Sequence, residues 1–290
     1  MSEQQTTPAQ NYASLIVSTW SKKINSGLDK TCTMLQCVNR DYQADADKGT
    51  AEIKIATPKS VATGTYTGTL PAYSAASFSS DVLKLDQSLY FAFSVPDITQ
   101  AQTNIALGET ILEKAQKSID EAIDKYIFSL NSKVDSDNII QGQSSTPLTL
   151  SSSNVYSQFV SLAKLLKNSG ALTAQKHGWV VVHPDVEEIL LLCEQFSGAS
   201  NESDKAKKEG SIGRIAGLDV FVSNNVGKDE EDDSYTIMAG TTEGITYASQ
   251  LKKFEQIRAE QSFDTIVRGL YTFGALAVNP KALAVLKCEL

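Results

Sequence analysis

Residues 83–130 read LKLDQSLYFAFSVPDITQAQTNIALGETILEKAQKSIDEAIDKYIFSL, and two hydrophobic periods meet within them. Up to residue 95, leucine, phenylalanine and valine alternate with mostly polar or small residues, which is the period-2 pattern of a half-buried strand. From Ile98 to Leu130, apolar residues recur every three or four positions and predict one amphipathic helix of roughly 33 residues, about 50 Å long. Asp97 is its predicted N-cap, with Gln100 as the capping-box partner. A helix with one apolar stripe needs a sheet or a neighbouring helix to lie on.

The composition excludes several classes of protein. With 41% hydrophobic and 21% charged residues, the 290-residue chain is expected to fold around a sizeable core, in one large or two ordinary domains. No apolar run has the length of a transmembrane helix, and the first ten residues lack the layout of a signal peptide. A net charge of −8 disfavours DNA binding through counterion release.

The segment upstream of the join predicts a hairpin with a long tip. Residues 50–57 alternate as a first strand, whose expected partner is the strand at 83–95. Residues 58–80, between them, are nearly uncharged and too long for an ordinary hairpin turn. A disordered surface loop is one interpretation, although such loops tend to carry more charge. We favour an arm that becomes ordered against another protein surface, with Lys59, Tyr66, Tyr73 and Phe78 as its candidate contact residues.

The remaining pattern predicts an α/β region between β-rich flanks. Residues 12–24, which include Trp20, predict a short amphipathic helix near the start, and residues 135–153 a polar connection. Further helices are predicted at 154–166 (capped by Asn154), 184–196 and 242–249. Strands are predicted at 178–182, 218–222, 235–239, 251–259, 266–278 and 282–286.

Each pattern that could carry chemistry has a simpler structural interpretation. His183-Pro184-Asp185 could hold acid–base groups, but a strand end followed by a proline-started helix explains it better. The glycine-rich residues 210–217 lead into a strand, whereas a phosphate-binding loop follows a strand and opens a helix. The acidic residues 229–233 lack the alternating ligands of a calcium loop. The cysteines lack a second ligand pair and are expected to be buried, reduced thiols, namely Cys32, Cys37, Cys193 and Cys288. We therefore predict no catalytic, cofactor-binding or metal-binding residues.

Taken in order, these parts resemble the major capsid protein of tailed bacteriophages. Four stretches carry the resemblance: residues 39–42 with Gly49, residues 83–98, residues 213–224 and residues 263–280. The resemblance implies an α+β fold with an N-terminal arm (1–48), an extended β-hairpin loop (49–95), a spine helix of the peripheral domain (96–134), an axial α/β domain (135–250), and peripheral-domain strands with a closing strand (251–290).

The resemblance also implies a non-enzymatic function. Such a subunit assembles with itself into hexamers and pentamers, which form an icosahedral capsid around double-stranded DNA without sequence-specific binding. A separate scaffolding protein and a portal protein are the implied partners, and the implied location is the virion, assembled in the host cytoplasm. Trp20 joins the arm residues as a candidate interface residue, and Pro96 and Gly108 are candidate hinge positions.

Two alternatives remain open at this point. An encapsulin, the shell protein of a cellular nanocompartment, shares the fold and would form small cages without DNA. A small-molecule enzyme would use the central α/β region and would need converging acid–base residues or a phosphate-binding loop. Electron micrographs of the purified protein distinguish these functions.

Overall fold

A computed structural model of the chain describes residues 32–47, 51–58, 78–96, 107–142, 146–173, 175–193, 211–225, 227–229, 234–260 and 264–290. The helices are α1 (Gln43–Asp47), α2 (Leu107–Ser129), α3 (Val155–Asn168) and α4 (Pro184–Leu191). The strands are β1 (Glu52–Pro58), β2 (Phe78–Lys84), β3 (Gln87–Pro96), β4 (Ile139–Ile140), β5 (Leu148–Thr149), β6 (Gly178–Val182), β7 (Ser211–Ile215), β8 (Leu218–Val222), β9 (Tyr235–Gly240), β10 (Ile245–Arg258), β11 (Asp264–Ala277) and β12 (Leu283–Glu289).

Two sheets share one hydrophobic core around α2. The three-stranded sheet is antiparallel in the order β10-β11-β3, and the seven-stranded sheet has the order β4-β12-β9-β6-β8-β7, with β5 also on β12. The apolar stripe of α2 is buried against aromatic side chains of β10 and β11. The buried side chains of this stripe are Leu112, Ile119, Ile123, Ile127 and Phe128.

The seven-stranded sheet separates this core from a second one. Along β6, Trp179 and Val181 point into the α2 core, while Val180 and Val182 point toward α3 and α4. Because both faces of the sheet are covered, every residue of β6 is buried, as the unbroken apolar run in the sequence predicts. The predicted strands at 178–182, 218–222 and 235–239 are therefore confirmed.

The predicted strand at 83–95 is in fact two strands in two different sheets. β2 pairs with β1 in a separate two-stranded hairpin, whereas β3 pairs with β11 over ten positions. The chain leaves the hairpin at Leu85, whose backbone N–H donates to the carbonyl of Ala51 at 3.0 Å. Leu83 and Leu85 face the hairpin core, and Phe91 faces the α2 core. The alternation of apolar residues continues without a break because the apolar side chains of β2 are buried in the hairpin core and those of β3 in the α2 core.

Two other elements differ in length or type from the prediction. The described part of the long helix is 23 residues, Leu107–Ser129, and it ends in a 3-10 turn at Leu130–Lys133. Asp97 and Gln100 lie outside the described residues. The predicted helix at 242–249 is wrong: a turn at Thr241 to Gly244 leads directly into β10. Tyr247 enters the α2 core and Ala248 the hairpin core, so burial on both faces hides the strand period.

The segment at 135–153 is more than a connection. It contributes β4 and β5, which both pair in parallel with β12. β12 itself, which the sequence grouped with the long strands, lies between β4 and β9 in the seven-stranded sheet. Helix α3 is confirmed, but Asn154 does not cap it with its side chain. That side chain instead accepts from the Ser151 N–H at 2.9 Å.

The glycine-rich segment forms the turn of a β7–β8 hairpin. Ala216 has φ 52° and Gly217 φ 95°, the two successive positive values of a type I′ turn. An L-residue without a polar side chain loses about 1–2 kcal/mol in this conformation.

Replacing Ala216 with asparagine should therefore stabilise the protein. We expect Ala216→Asn to raise the free energy of unfolding by about 0.5–1 kcal/mol, because asparagine tolerates positive φ. Urea denaturation followed by the fluorescence of buried Trp179 measures the change. Gly217→Ala should lower the same free energy, and equal stability of all three proteins would contradict the turn assignment.

Candidate assembly site

The β1–β2 hairpin is rooted on the three-stranded sheet by a small core of its own. Its inward side chains are buried against Ala248 of β10 and the partly buried Leu276 of β11. These side chains are Ile53, Ile55, Leu83 and Leu85, none more than 7% exposed. The root is therefore held by apolar burial, while residues 59–77, which link the two strands, lie outside the described residues.

Gly274 of β11 lies directly against the backbone at the end of β2. A Cβ atom at this position would lie 1.9 Å from the Lys84 carbonyl oxygen and 3.2 Å from the Leu85 Cα. Both obstacles are main-chain atoms, so no side-chain rotation can relieve the overlap. Only glycine allows the hairpin backbone to cross β11 at this distance.

The segment before the hairpin covers the beginning of β10. The backbone carbonyl of Asn39 accepts the Tyr247 N–H, and the backbone N–H of Asn39 donates to the Ile245 carbonyl, both at 2.9 Å. One turn later, the Gln43 amide accepts the Ser249 N–H at 3.1 Å and donates to the Ser249 carbonyl at 2.6 Å. Asn39 and Gln43 thus take the place of a fourth strand along the first half of β10.

Asp124 of α2 joins three parts of the chain through its buried carboxylate. One oxygen accepts from the Cys32 thiol at 2.8 Å and from the Met34 N–H at 2.9 Å. The other accepts from the side chains of Asn225 at 3.3 Å and Ser223 at 3.5 Å, which follow β8. Burial first, and then the neighbouring Asp124 charge, raises the pKa of the Cys32 thiol far above its usual value. The thiol is therefore a stable hydrogen-bond donor.

The prediction of buried thiols is confirmed for all four cysteines, which are free and buried. Burial alone raises the pKa of Cys288 to about 12, and it raises the pKa of Cys37 strongly. Thiols with raised pKa values are poor nucleophiles at neutral pH.

The face of the three-stranded sheet that points away from α2 is exposed beyond the hairpin. Tyr90 of β3 is 81% exposed there, beside a depression of about 280 Å³ whose lining includes Ala92 and Leu270. Arg268 donates through Nε and Nη2 to one Glu255 oxygen, at 2.8 and 2.6 Å. The hydrogen bond from Arg268, reinforced by its charge, lowers the pKa of Glu255. The uncharged side chains of Tyr90, Ala92 and Leu270 thus lie beside a cluster of paired charges, formed by Lys253, Glu255 and Arg268.

His183 and Asp185 serve the start of α4. The His183 Nδ1 accepts the Asp185 N–H at 3.3 Å as an N-cap, and Pro184 occupies the first turn, which confirms the structural interpretation of this motif. The Tyr235 hydroxyl donates to the Asp185 carboxylate at 2.6 Å. This bond is the main cause that lowers the pKa of Asp185 and raises the pKa of Tyr235.

The Tyr235–Asp185 bond should contribute stability only between acid and alkaline limits. A lowered folded-state pKa of Asp185 means that its contribution is full above the ordinary value of 3.8 and is lost as the pH falls through the folded value. A raised pKa of Tyr235 means that its contribution is full below 10 and is lost above it. We expect Tyr235→Phe to cost about 1 kcal/mol at neutral pH, a small value because Asp185 is half exposed.

Urea denaturation across the pH range measures this difference. The gap between the wild type and Tyr235→Phe should be constant from pH 5 to 9 and should narrow below about pH 4. Tyr156→Phe on α3 is the matched control, and a gap that widens in acid would contradict the assignment.

The predicted assembly and hinge residues are only partly within the described residues. Phe78 is the first residue of β2 and pairs with Pro58. Pro96 is the last residue of β3 and pairs with Asp264, and Gly108 is the second residue of α2. These three residues lie on three different elements. Trp20, Lys59, Tyr66 and Tyr73 fall outside the described residues.

The sequence patterns did not single out Gly274, Asp124 or Tyr90. An isolated glycine within a strand pattern indicates close approach of another backbone, so the sequence did contain a signal for Gly274. Asp124 interrupts the apolar stripe of α2 but is far in sequence from its partners. Tyr90 lies on the polar side of an alternating strand. The pattern predicts that this side is exposed, but it does not show that a large aromatic residue there has a functional role.

The described residues hold no group of three or more His, Cys, Asp or Glu side chains arranged to bind a metal ion. None of the described helices combines the length and the apolar composition needed to cross a bilayer.

The order of elements, with a rooted hairpin, a long helix and two sheets, is shared with known proteins. The family model described as phage capsid protein matches residues 79–286, more than two thirds of the chain. This chain belongs to the phage capsid protein family. It is a structural protein of a capsid shell, and the expected α+β capsid fold is confirmed.

Solved structures support the same fold. The capsid protein resembles a chain from Mycobacterium phage Che8 with a TM-score of 0.66 and 23% identity, over 86% of this chain and 89% of that one. It resembles the capsid of Ralstonia phage GP4 with a TM-score of 0.63 and 10% identity, over 82% and 83%. A virus-like particle from Pyrococcus furiosus aligns with a TM-score of 0.58 and 13% identity, over 93% and 98%. At these identities the likeness concerns the fold.

The curated proteins compared with the sequence include none that matches it.

Proposed function

We propose that this capsid protein is the major shell subunit of a tailed bacteriophage. In this proposal it forms hexamers and pentamers of an icosahedral capsid around double-stranded DNA. A separate scaffolding protein and a portal protein assist assembly in the host cytoplasm. The observation that supports the proposal best is the family match over residues 79–286, together with a capsid fold that extends over nearly nine tenths of the chain.

The surface chemistry is consistent with enclosing DNA without binding it. The net charge of −8 opposes condensation of the protein on a polyanion. The hairpin root is fixed by its own core and by Gly274, so a tip at residues 59–77 would project from a firm base. We propose that Lys59, Tyr66, Tyr73 and Phe78 of this arm, and Trp20 of the N-terminal segment, contact neighbouring subunits.

The hinge and the domain division are part of the same proposal. Pro96 is the last residue of β3 and Gly108 is the second residue of α2, so the two positions flank the connection between the sheet and the helix. We propose that the angle between hairpin and helix changes here between assembly states. We also propose the domain division at residues 48, 95, 134 and 250, with β10 continuous across the last of these boundaries.

Electron microscopy of the purified full-length chain tests the function. Co-expression with a scaffolding protein should yield icosahedral or polymorphic shells larger than a small closed cage. Small DNA-free cages would favour the encapsulin alternative. A chain that stays monomeric with and without a scaffold would contradict both shell functions and would reopen the enzyme alternative.

A further inference from the structure

Exposed sheet edges are normally protected against pairing with other chains, and most edges in this protein follow that rule. The first half of β10 is covered by Asn39 and Gln43, and its second half carries a bulge and several charged residues. β7 carries a register shift between Ser211 and Gly213 and a charged Arg214. β4 and β5 have two residues each, and each strand of the hairpin contains charged residues.

The edge formed by β3 has none of these protections along its length. The strand Gln87–Pro96 reads QSLYFAFSVP, ten residues without a charge in a chain that is 21% charged. Its pairing with β11 runs over ten consecutive positions without a recorded bulge. Within the described residues, β3 pairs only with β11, so its other edge has no strand partner. Proline occurs only at its last position, where it does not interrupt the ladder.

The exposed side chains of β3 are also suited to contact with another strand. Ser88, Tyr90, Ala92 and Ser94 are all exposed on one face, and Tyr90 has the highest exposure of the large hydrophobic residues described. Leu89, Phe91 and Phe93 face the α2 core. A regular, uncharged edge rich in aromatic residues has high β propensity and offers unpaired backbone groups.

We propose that β3 pairs edge to edge, in antiparallel orientation, with β3 of a second copy of this chain. An uncharged strand meets an identical uncharged strand without like-charge repulsion. Antiparallel pairing of identical strands is self-complementary and generates a two-fold contact. The two three-stranded sheets thereby become one continuous sheet across the subunit boundary.

Side-chain alternation restricts the register of this contact. Opposite residues of an antiparallel pair lie on the same face, so only registers that place exposed residues opposite exposed residues keep both cores intact. Among these registers we propose the two centred on Tyr90 or on Phe91, in which Tyr90 lies opposite Tyr90 or Ala92 of the partner strand. Tyr90 side chains from the two copies are therefore direct or diagonal neighbours, within reach of each other.

A contact of this size acts only within a larger assembly. One pair of strands is a smaller contact than the roughly 1,200–2,000 Å² of a stable two-protein interface. Repetition over many subunits raises the effective concentration at each contact. The inference therefore rests on the proposed shell assembly, and the experiments that test it measure the formation of shells.

Charge substitutions at Tyr90 test the pairing. Tyr90→Glu and Tyr90→Lys each place like charges across the contact, and we expect each to raise the protein concentration needed for shell formation about tenfold. An equimolar mixture of the two variants should restore assembly, because opposite charges then face each other. Gln256→Glu and Gln256→Lys, at an exposed position on the opposite edge of the sheet, should assemble like the wild type.

The outcomes separate this inference from the proposed function. Normal assembly of both Tyr90 variants would overturn the pairing while leaving the shell function intact. Loss of assembly without rescue in the mixture would mean that another segment occupies this edge, which also overturns it. Failure of the wild type to form shells would instead contradict the proposed function. Urea denaturation of the unassembled variants should match the wild type, because Tyr90 is largely exposed.

Cysteine crosslinking gives a second measurement. Each native cysteine is buried, so a cysteine introduced on β3 is the reactive thiol. Oxidised shells of Tyr90→Cys, or of Tyr90→Cys mixed with Ala92→Cys, should yield covalent dimers on non-reducing gels. Gln256→Cys shells should yield monomers, and an equal dimer yield from both edges would overturn the assignment.

Discussion

Asp124→Ala lowers the free energy of unfolding by about 2–4 kcal/mol, because hydrogen bonds to a buried charged acceptor contribute about 1.5–3 kcal/mol each and their donors stay buried. The Cys32 thiol and the Met34 N–H lose the acceptor that holds the N-terminal segment on α2. The Asn225 amide loses its link to the same helix. Urea denaturation followed by Trp179 fluorescence, in a Trp20→Phe background, measures the loss.

Two substitutions on α2 act as controls for this prediction. Asp124→Asn keeps the shape and one acceptor oxygen, so it should fall between the wild type and Asp124→Ala. Lys125→Ala, at the adjacent exposed position, should change the free energy of unfolding by no more than about 0.5 kcal/mol. If Asp124→Ala were as stable as Lys125→Ala, the carboxylate would not be the junction of these three segments.

Gly274→Ala has a comparable effect through sterics. The new Cβ would lie 1.9 Å from the Lys84 carbonyl oxygen, so either β11 or the hairpin root must move. Overpacking of this kind costs about 1–3 kcal/mol and more when the backbone has to shift. We expect loss of thermal stability in the isolated subunit, and loss of shell assembly because the hairpin is displaced from the sheet. Differential scanning calorimetry and electron microscopy measure the two effects.

Gly269 on the same strand provides a matched control. A Cβ at Gly269 would meet the Phe91 ring at 2.3 Å, so the obstacle there is a side chain. Gly269→Ala should therefore be rescued in part by Phe91→Leu, whereas no side-chain substitution should rescue Gly274→Ala. Rescue of Gly274→Ala by truncating Lys84 to alanine would contradict a main-chain clash.

The sequence predicted the elements whose hydrophobic pattern stays the same along their whole length. The α2 stripe, the buried strand β6 and the long strand β11 were all readable, because each pattern reports burial against one neighbour or on both faces. The break between β2 and β3 was not readable, since Leu83 and Phe91 keep one alternation while facing different cores. The start of β10 was read as a helix because Tyr247 and Ala248 are buried on opposite faces of the strand.

The candidate assembly site was likewise predictable from local sequence only in part. The composition of residues 58–80 indicated an arm, and that interpretation remains a prediction because residues 59–77 lie outside the described residues. The root of the arm is described, and its decisive residue is Gly274, which interacts with a strand about 190 residues earlier in the chain. The interface and hinge residues named from the sequence also remain predictions.

The sequence by itself determined that the chain alternates local strand and helix patterns in the order of a capsid subunit, with buried thiols and with His183 at a strand end before a proline-started helix. Hydrophobic period and turn chemistry are local properties, and a single sequence reports them directly. Only the tertiary structure decided where β2 ends and β3 begins, which donors surround Asp124, and which sheet edge has no strand partner among the described residues. These features depend on contacts between distant segments, and a local pattern reports that a residue is buried without naming the residue that buries it.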